Sequence, residues 1–470
     1  MKRFACRMVQ YLHGEYGRLE PPKHFPCAPL TAYFLRRLLL IPFTLLGMTL
    51  LVFVIMRMVP GGPMEEALKK QMGSAGEKGQ SAARSREQQG GSSLTPAVLL
   101  ELEEKYDRDK PMFRAYAEWL GILPNDDPQR GNRIGVVVPE GKNEVMVPVP
   151  GTIDEVKVTL DGQGGFRAEP PPGMDFSKWR VKVQSPQEQK ERWDHRLKGK
   201  VLLETLPQPR VVLYRPGFDG LLEGSLGTSR KYQEPVWQMI AERLPVSGFY
   251  ALFDIVLVYI VCLPLGILKA IKHRTWIDNF TSVVVFAGYA VPGYALGSVL
   301  VVFLGARLGW FPLGGFTGDD FPNLGAWDKL KDLGYHAVLP LICYMIGSFA
   351  VTTLMTKNNL MDNLAADYVR TAVSKGMSFR RAVFRHAVRN SLIPVAATFG
   401  SNIALIVGGS ILIEKIFDIN GFGLLQFNSV LEADDPVVMG LTAVSGVLVL
   451  LGNVISDLCV ALVDPRVSYK

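Results

Sequence analysis

The sequence lacks the short motifs by which proteins hold nucleotides or carry out the common hydrolytic and group-transfer reactions. It contains no GxxxxGK[ST] phosphate-binding loop, no GxSxG, no HExxH and no kinase signature. The nearest glycine-rich stretch, GSAGEKGQS, does not have the spacing of a phosphate-binding loop. We therefore predict that the chain is not an enzyme, has no ATPase of its own and holds no cofactor.

Cysteine is also scarce and is absent from the longest polar stretch. The five cysteines are Cys6, Cys27, Cys262, Cys343 and Cys459, and none lies in the region between the first two long apolar runs. No CxxC pair or Cys/His cluster occurs, so the sequence offers no structural metal site. If the polar stretch is external, it must be stable without disulfides.

Charged residues make up only 20% of the chain and apolar residues 48%, with a net charge of +7. A basic chain can bind nucleic acid or an anionic membrane surface. Here the lysines and arginines lie next to long apolar runs and form no separate basic domain. This distribution is typical of membrane topology, so we predict membrane lipid as a partner and no nucleic acid.

Six apolar runs are long enough to cross a bilayer, which requires about 20 residues. The first begins near Tyr33 and is too long for a secretory signal, so we interpret it as a retained helix. Its one proline, Pro42, and the prolines of the later runs are tolerated in membrane helices. The runs cover residues 33–59, 246–268, 279–306, 337–356, 391–413 and 436–463.

The orientation follows from the loops, because lysine and arginine are retained on the cytoplasmic side. The loops after the second and fourth runs are basic, whereas those after the third and fifth are acidic or mixed. Both termini are then cytoplasmic, as are residues 1–32 and the loop 357–390. Residues 60–245 are then external, and 246–470 form a core of five further helices.

The external region changes character along its length. Residues 70–96 are rich in Gly, Ser, Gln and charge, which predicts a flexible linker. From about 130 to 215 apolar and polar residues alternate in five short runs separated by glycine and proline, which predicts a small antiparallel β module. The runs are RIGVVV, EVMVPV, IDEVKVTL, WRVKVQ and RVVLY.

The loop 357–390 is too polar to enter the bilayer, and its pattern predicts two short helices. Gly376 ends the first and Ser378 is a candidate N-cap for the second. Small side chains recur on one face of the first helix, at Ala365, Val369, Ala372, Val373 and Gly376. Such a face could dock on another protein and transmit a push. Alternatively, the loop could rest on anionic headgroups through its arginines.

Several motifs of the sequence occur together in one transporter family. Asp367-Tyr368-Val369-Arg370-Thr371-Ala372 and Lys375-Gly376 are followed by His386-Ala387-Val388-Arg389-Asn390 and Pro394. Leu35-Arg36-Arg37-Leu38, Pro60-Gly61-Gly62-Pro63, Asp109-Lys110-Pro111, Gly288-Tyr289-Ala290-Val291-Pro292 and Asp464-Pro465-Arg466 add to the pattern. With them the chain resembles the permease subunits of oligopeptide/dipeptide ABC importers, and Leu354-Met355-Thr356-Lys357-Asn358 resembles their Yej-type branch.

The resemblance implies an all-α membrane protein with six transmembrane helices of the MetI-like type, into which an external β module is inserted. It implies a bacterial inner-membrane location and a peptide-like solute. The partners would be a homologous second permease subunit, two ABC ATPase subunits that bind the ATP, and a soluble solute-binding protein. The implied ATPase-coupling residues are Asp367, Tyr368, Val369, Arg370, Thr371, Ala372, Lys375 and Gly376. Two positions depart from the family pattern, with Ala366 in place of a common Glu and Val373 in place of a common Arg.

Three further features carry alternative interpretations. Asp254 lies within the second apolar run, where a carboxylate is costly unless it faces protein or water. It could line the solute path, or it could be hydrated near the outer surface. Asp457 could pack helices or gate the path, or extend to the interface. Gly421-Phe422-Gly423 could contact a delivering protein or form a plain turn.

Two other classes of protein compete with the importer. An ion-coupled secondary transporter would need paired intramembrane carboxylates or an inverted repeat, and neither is visible in the sequence. A membrane-anchored structural or assembly protein would use the β module as its working part. Six spans and a structured loop exceed what an anchor needs.

Overall fold

The computed structural model describes residues 27–58, 110–125, 133–150, 152–161, 165–197, 208–399 and 411–463. The predicted linker 70–96 and most of the predicted N-terminal extension lie outside the described residues. The chain divides into two compact units. The first comprises 1–48, 243–425 and 443–470, and the second comprises 49–242 and 426–442.

Helices account for most of the described residues. The longest are α1 (Cys27–Met58), α4 (Val236–Ile271), α7 (Ala326–Ala365) and α14 (Asp435–Val463). The shorter ones are α2 (Met112–Leu120), α3 (Pro186–Leu197), α5 (Trp276–Ala290), α6 (Gly293–Leu300), α8 (Asp367–Ser374), α9 (Phe379–Ala382), α10 (Val388–Ser391), α11 (Ile393–Ala397), α12 (Ile411–Ile416) and α13 (Phe422–Leu431). Segments Val301–Arg307 and Val383–Ala387 are π-helical.

Among the described residues, four helices are long and apolar enough to cross a membrane, or five spans if one bent pair counts as a single span. The four long helices correspond to the predicted first, second, fourth and sixth runs. The predicted fifth run, 391–413, is only partly described, because residues 400–410 lie outside the described ranges.

The predicted third span is not one straight helix. Helices α5 and α6, the latter with its π-helical continuation, are bent by 91° at their junction. Val291 has extended backbone dihedrals there, and Pro292 precedes the next helix. A proline disfavours helical geometry in the residue before it, so Val291-Pro292 accounts for the break.

Three helices extend beyond the runs predicted from the sequence. Helix α1 begins at Cys27, and the part of it that is apolar enough to span a membrane, Tyr33–Met58, begins at the predicted residue. Helix α4 begins at Val236 and passes through Pro245, where the prediction ended the external region. A proline within an apolar helix removes one backbone hydrogen bond without ending the helix. Helix α7 extends to Ala365, so the first part of the predicted loop 357–390 continues that helix.

Among the described residues between Arg133 and Tyr214, six strands form two three-stranded sheets, in the orders β1-β6-β5 and β2-β3-β4. All four strand pairs are antiparallel. Valines and a leucine from both sheets share one apolar cluster, in which Val147, Val156, Val158, Val211 and Leu213 are fully buried. The strands are β1 (Arg133–Val137), β2 (Glu144–Pro148), β3 (Glu155–Asp161), β4 (Gly165–Glu169), β5 (Arg180–Gln184) and β6 (Arg210–Tyr214).

Candidate functional site

The segment that contains the predicted coupling residues begins where α7 ends. Ala366 has an extended backbone, and α8 follows from Asp367 to Ser374. Gly376 lies just beyond the helix with a φ of +89°, a conformation that favours glycine. The prediction that Gly376 ends this helix is confirmed, and the reason is the left-handed turn that it forms.

The second predicted helix starts at the expected residue but is irregular. Ser378 occupies the N-cap position of α9 with extended backbone, although its side chain makes no capping hydrogen bond. The π-helical segment Val383–Ala387 separates α9 from α10. A π-helical segment widens the helix by one residue per turn and is common at functional sites.

The small-residue face of α8 packs, at its centre, against other helices of the same chain. Val369 is only 2% exposed and packs in a cluster with Ala270 of α4 and Leu360 of α7. Ala372 packs against the same cluster. The centre of this face therefore already contacts the ends of α4 and α7, so a partner could dock only on the parts of the segment that stay exposed.

The opposite side of the segment is exposed and combines apolar and basic side chains. Of the eight predicted coupling residues, Val369 is buried and Ala372 is half-buried, whereas Asp367, Tyr368, Arg370, Thr371, Lys375 and Gly376 are exposed. Exposed apolar side chains occur at Tyr368, Val373, Phe379 and Phe384, and exposed arginines at Arg370, Arg380, Arg381, Arg385 and Arg389. This surface, which we call the coupling surface, is the part of the segment that a partner could reach.

A buried charge cluster lies close to the packing of α8. Asp278, in the first turn of α5, accepts hydrogen bonds from Lys357 Nζ of α7 at 2.7 and 2.9 Å. Its carboxylate also lies 3.1 Å from Lys269 Nζ of α4, and it accepts from the Arg274 backbone N–H at 3.1 Å. His273 Nδ1 lies 3.2 Å from the same carboxylate.

Lys269 is fully buried, which is rare for a lysine and requires that each of its donors be satisfied. Besides the Asp278 carboxylate, it donates to the Asp278 carbonyl at 3.0 Å, to Thr281 Oγ1 at 3.1 Å and to Ser282 Oγ at 2.7 Å. One carboxylate therefore joins α4, α5 and α7. We call Lys269, Asp278 and Lys357 the charge cluster.

The charge cluster adjoins the apolar cluster under α8 along both long helices. Lys269 precedes Ala270 on α4, and Lys357 lies one turn before Leu360 on α7. A displacement of α8 would thus act on helices that Asp278 holds together. Sequence reasoning counted Lys269 only as a basic residue of the loop after the second run, used Lys357 as a basic loop residue and in a family motif, and did not consider Asp278. The available signal was a carboxylate in the first turn of an apolar helix, directly after a basic loop.

Asp254 lies on α4 and is only 8% exposed within the chain. No described residue offers a hydrogen-bond partner to its Oδ1 atom, and the same holds for the hydroxyl of Tyr250 one turn earlier. The carboxylate is therefore covered by protein. This burial disagrees with the interpretation that Asp254 is hydrated near the outer surface. Whether it meets the solute stays a prediction.

Gly421 allows a close approach of backbone to a buried carboxylate. Glu414 of α12 is fully buried and accepts hydrogen bonds from Ser247 Oγ at 2.8 Å and from the Leu424 backbone N–H at 2.7 Å. The Phe422 backbone N–H donates to Ser247 Oγ at 2.7 Å. A Cβ atom on Gly421 would lie 2.6 Å from both Glu414 Oε2 and Ser247 Oγ. This close approach explains why a residue without a side chain occupies position 421.

Asp457 joins the first and last long helices. It accepts a hydrogen bond from the Tyr33 hydroxyl at 3.0 Å and forms an ion pair with Arg37. Arg37 also donates to the Asn453 carbonyl at 3.4 Å. The packing interpretation of Asp457 fits these contacts better than extension to the interface.

The several long apolar helices and the partly exposed helical segment between them define a multi-pass membrane protein. Residues 262–469 match the model of the family described as the binding-protein-dependent transport system inner membrane component. The chain is 36% identical over 266 residues to the oligopeptide transport system permease protein AppB of Bacillus subtilis, which covers 56% of this chain and 82% of that protein. The chain belongs to this family.

Two further relatives are named YejB. The chain is 27% identical over 458 residues to the inner membrane ABC transporter permease protein YejB of Escherichia coli O157:H7, covering 93% of this chain and 99% of that protein. It is 37% identical over 238 residues to the peptidoglycan transport system permease protein YejB of Agrobacterium fabrum, covering 50% and 65%. These matches confirm the resemblance to the peptide branch and to its Yej-type members.

Proposed function

We propose that the chain is the permease subunit of an ATP-binding-cassette importer that carries peptides or peptide-like solutes delivered by a soluble binding protein. The observation that carries this proposal is the family membership, together with relatives named for oligopeptide and peptidoglycan transport. The contacts of the coupling segment add a physical route by which a partner could act on the membrane helices.

That route starts at the coupling surface. An ATPase subunit bound to Tyr368, Phe379, Phe384 and the surrounding arginines would move α8 when it closes on ATP. Val369 packs against α4 and α7, and Asp278 ties both helices to α5. The movement would therefore tilt three helices together between outward and inward states. Energy enters because the ATP-bound partner binds one state more tightly than the other.

The assembly would contain this chain, a homologous second permease, two ATPase subunits and the binding protein. We propose six membrane spans, with the bent pair α5–α6 as the third and residues 391–413 as the fifth. Both termini and the coupling surface would be cytoplasmic, and residues 60–245 with the β strands would be external. The basic side chains around the coupling surface support this orientation.

The orientation can be tested by cysteine accessibility. Ser374 is exposed at the end of α8, so Ser374→Cys should accept a membrane-impermeant maleimide only after the membrane is opened. Lys157→Cys, on a half-exposed side chain of β3, is the matched external position and should be modified in spheroplasts with intact inner membranes. Modification of residue 374 in those spheroplasts would overturn the orientation.

Asp254 is proposed as a residue of the solute path. Its burial within the chain means that the path must open before a solute can reach it. An unpaired carboxylate oxygen there would then attract the ammonium group of a peptide.

Co-purification tests the function itself. Affinity purification of the tagged chain from its native host should recover an ABC ATPase in stoichiometric amount, whose ATP hydrolysis rises when loaded binding protein is added. A secondary transporter or a membrane-anchored structural protein would purify without an ATPase. Recovery without any ATPase, in a detergent that keeps the permease pair together, would contradict the proposal.

A further inference from the structure

Helix α2 packs on two of the long membrane-spanning helices. Its Tyr116 hydroxyl is hydrogen-bonded to Thr49 of α1 at 2.8 Å, and the centroid of the Tyr116 ring lies 5.3 Å from that of Phe53. Leu120 and Tyr116 share an apolar cluster with Met439, which is near the start of α14. The position of α2 is therefore fixed by α1 and α14.

The level of α2 in the membrane follows from its contacts along α1. No charged residue lies between Arg37 and Arg57, and at about 1.5 Å per residue this stretch is about 30 Å long, which is the thickness of the hydrocarbon core of a bilayer. Phe53 and Thr49 precede Arg57 by about one and two turns, which places them about 6 and 12 Å inside the level of that arginine. Tyr116 contacts both residues and so lies at the depth of the lipid.

The charged groups of α2 lie together, near the arginine that marks the edge of the apolar stretch. The carbonyl of Lys110, two residues before α2, accepts a hydrogen bond from Arg57 Nη1 at 3.3 Å. Glu118 of α2 pairs with Lys110 Nζ at 2.6 Å and with Arg114 Nε at 3.0 Å. The helix thus combines a charged side with a buried apolar side. This pattern is typical of helices that lie in the interface between lipid and water.

Four exposed apolar side chains lie where α2 ends and where the chain passes it again near residue 220. The two stretches are in contact, because a Cβ atom on Gly121 would lie 3.2 Å from Gly220 Cα. Leu221 packs against the same apolar cluster as Tyr116, so the second stretch is also at the depth of the lipid. We call the four side chains, which are 39–72% exposed, the turn patch: Ile122, Leu123, Phe218 and Leu222.

Lipid fits the turn patch better than water or a protein does. Neighbouring apolar side chains are costly to expose to water. Helix α1 has few contacts within the chain, since only 6% of its most apolar window is buried, against 17–39% in the other three long helices that the structure describes. Most of its surface therefore faces lipid, and α2 is packed on that surface. The rings of Tyr116 and Trp119, stacked 5.9 Å apart, are of the types enriched where lipid meets water.

We propose that α2 and the turn patch bind the surface of the lipid bilayer, with the four apolar side chains among the first methylene groups of the acyl chains and the charged side of α2 among the headgroups. This inference rests on the membrane-spanning helices and does not depend on the proposed function. Asn125 and Gly217 are paired beside the patch. The segment between them, which contains both sheets, therefore begins and ends at the membrane surface.

Photo-crosslinking in native membranes identifies what covers the turn patch. The photoreactive residue p-benzoylphenylalanine is incorporated in place of Leu222 or Ile122 and, as the control, in place of Lys142, which is exposed in the turn between β1 and β2. After irradiation, mass spectrometry of the purified chain should find phospholipid adducts at positions 222 and 122 at least about tenfold more often than at position 142. If positions 222 and 122 give adducts with another protein instead, or give no lipid adduct, the proposal is wrong.

A second measurement uses a small side chain, so that a bulky photoreactive group cannot disturb the fold. Leu222→Cys and Lys142→Cys are compared in nanodiscs by their reaction with a charged, membrane-impermeant maleimide. Mass spectrometry of the peptide that contains each residue separates the new thiol from the native cysteines. The thiol at position 222 should react at least about tenfold more slowly, and the difference should disappear in denaturing detergent. Equal rates in nanodiscs would show that water covers the patch and would overturn the proposal.

Discussion

At the scale of single residues, the charge cluster shows how a buried charge becomes part of a mechanism. Lys269 and Asp278 are almost completely buried, and Lys357 is only 12% exposed. Burying charges is costly, and the cost is offset only when each charge is paired and hydrogen-bonded. Asp278 is the shared partner of both lysines. Its removal would leave two buried ammonium groups without a counter-charge.

We therefore predict that Asp278→Asn destabilises the purified chain by about 3–5 kcal/mol, seen as a lower melting temperature. The double variant Asp278→Asn with Lys357→Met should recover part of the loss, because one of the uncompensated charges is removed. Asp328→Asn is the matched control. It changes an ion pair whose side chains are about 60% exposed and should shift stability by less than about 0.5 kcal/mol. Similar melting of both single variants would refute the role of Asp278.

Gly421 gives a second prediction at this scale. Gly421→Ala places a methyl group against the Glu414 carboxylate and Ser247, and should cost about 1–3 kcal/mol of stability. Gly347→Ala is the control, because within 4 Å of its added Cβ there is no atom beyond the adjacent residues and nearby backbone of α7 itself. It should be neutral or stabilising by up to about 1 kcal/mol. Equal effects of the two changes on thermal melting would contradict the close approach.

Such residue-level contacts were beyond the reach of sequence reasoning. Asp278 and Lys357 are 79 positions apart, and Glu414 and Ser247 are 167 apart. Periodicity describes neighbours along one element, whereas these pairs depend on which helices are adjacent. The composition of the loop predicted its charge, and only the fold shows which lysine is buried.

At the scale of secondary-structure elements, periodicity identified most segments. Five alternating runs coincide with strands β1, β2, β3, β5 and β6, and four apolar runs coincide with long helices. The short strand β4 and helix α3 were missed, because the alternation in GFRAE rests on only two apolar residues, Phe166 and Ala168, and because PQEQKERWDHRL has few apolar residues. The 91° bend was missed because proline is also tolerated in straight spans.

The coupling surface yields a prediction at the element scale. Phe384→Asp should reduce the ATPase recovered with the chain by at least about tenfold, since an apolar contact is replaced by a charge opposite to that of the surrounding arginines. Its own stability should not change, because Phe384 is 60% exposed. Phe113→Asp, at a side chain that is 78% exposed on α2, is the control and should retain the ATPase. An undiminished ATPase yield with Phe384→Asp would favour a segment that rests on lipid headgroups.

The two sheets yield another prediction. Asn125 and Gly217 are hydrogen-bonded neighbours, so the segment between them, which contains both sheets, begins and ends at the same place. Replacing residues 126–216 by an Asn-Gly turn should preserve membrane insertion and basal ATP hydrolysis but weaken stimulation by loaded binding protein. Val147→Asp, which places a charge in the sheet core, should have the same effect if the folded sheets are required. Full stimulation in the deletion would show that the sheets are passive, and failed insertion would show that they are not an add-on.

At the scale of the whole molecule, we propose that a partner protein supplies the energy that moves the bundle of membrane helices. The sequence predicted the membrane class and the basic face of the coupling segment, while the structure shows that α8 is packed onto α4 and α7. The packing makes the segment part of the bundle rather than a free loop. A partner that moves it must therefore move the helices as well.

ATP-driven uptake tests this central claim most directly. The purified complex is reconstituted into proteoliposomes with the coupling surface outward and the binding protein enclosed, so that the lumen corresponds to the outside of the cell. Import is then measured as the movement of labelled trialanine from the lumen to the outer side, where ATP is added. We predict transport that requires both ATP and binding protein and that Phe384→Asp abolishes. Transport driven by an imposed ion gradient without ATP, and unaffected by Phe384→Asp, would contradict the account.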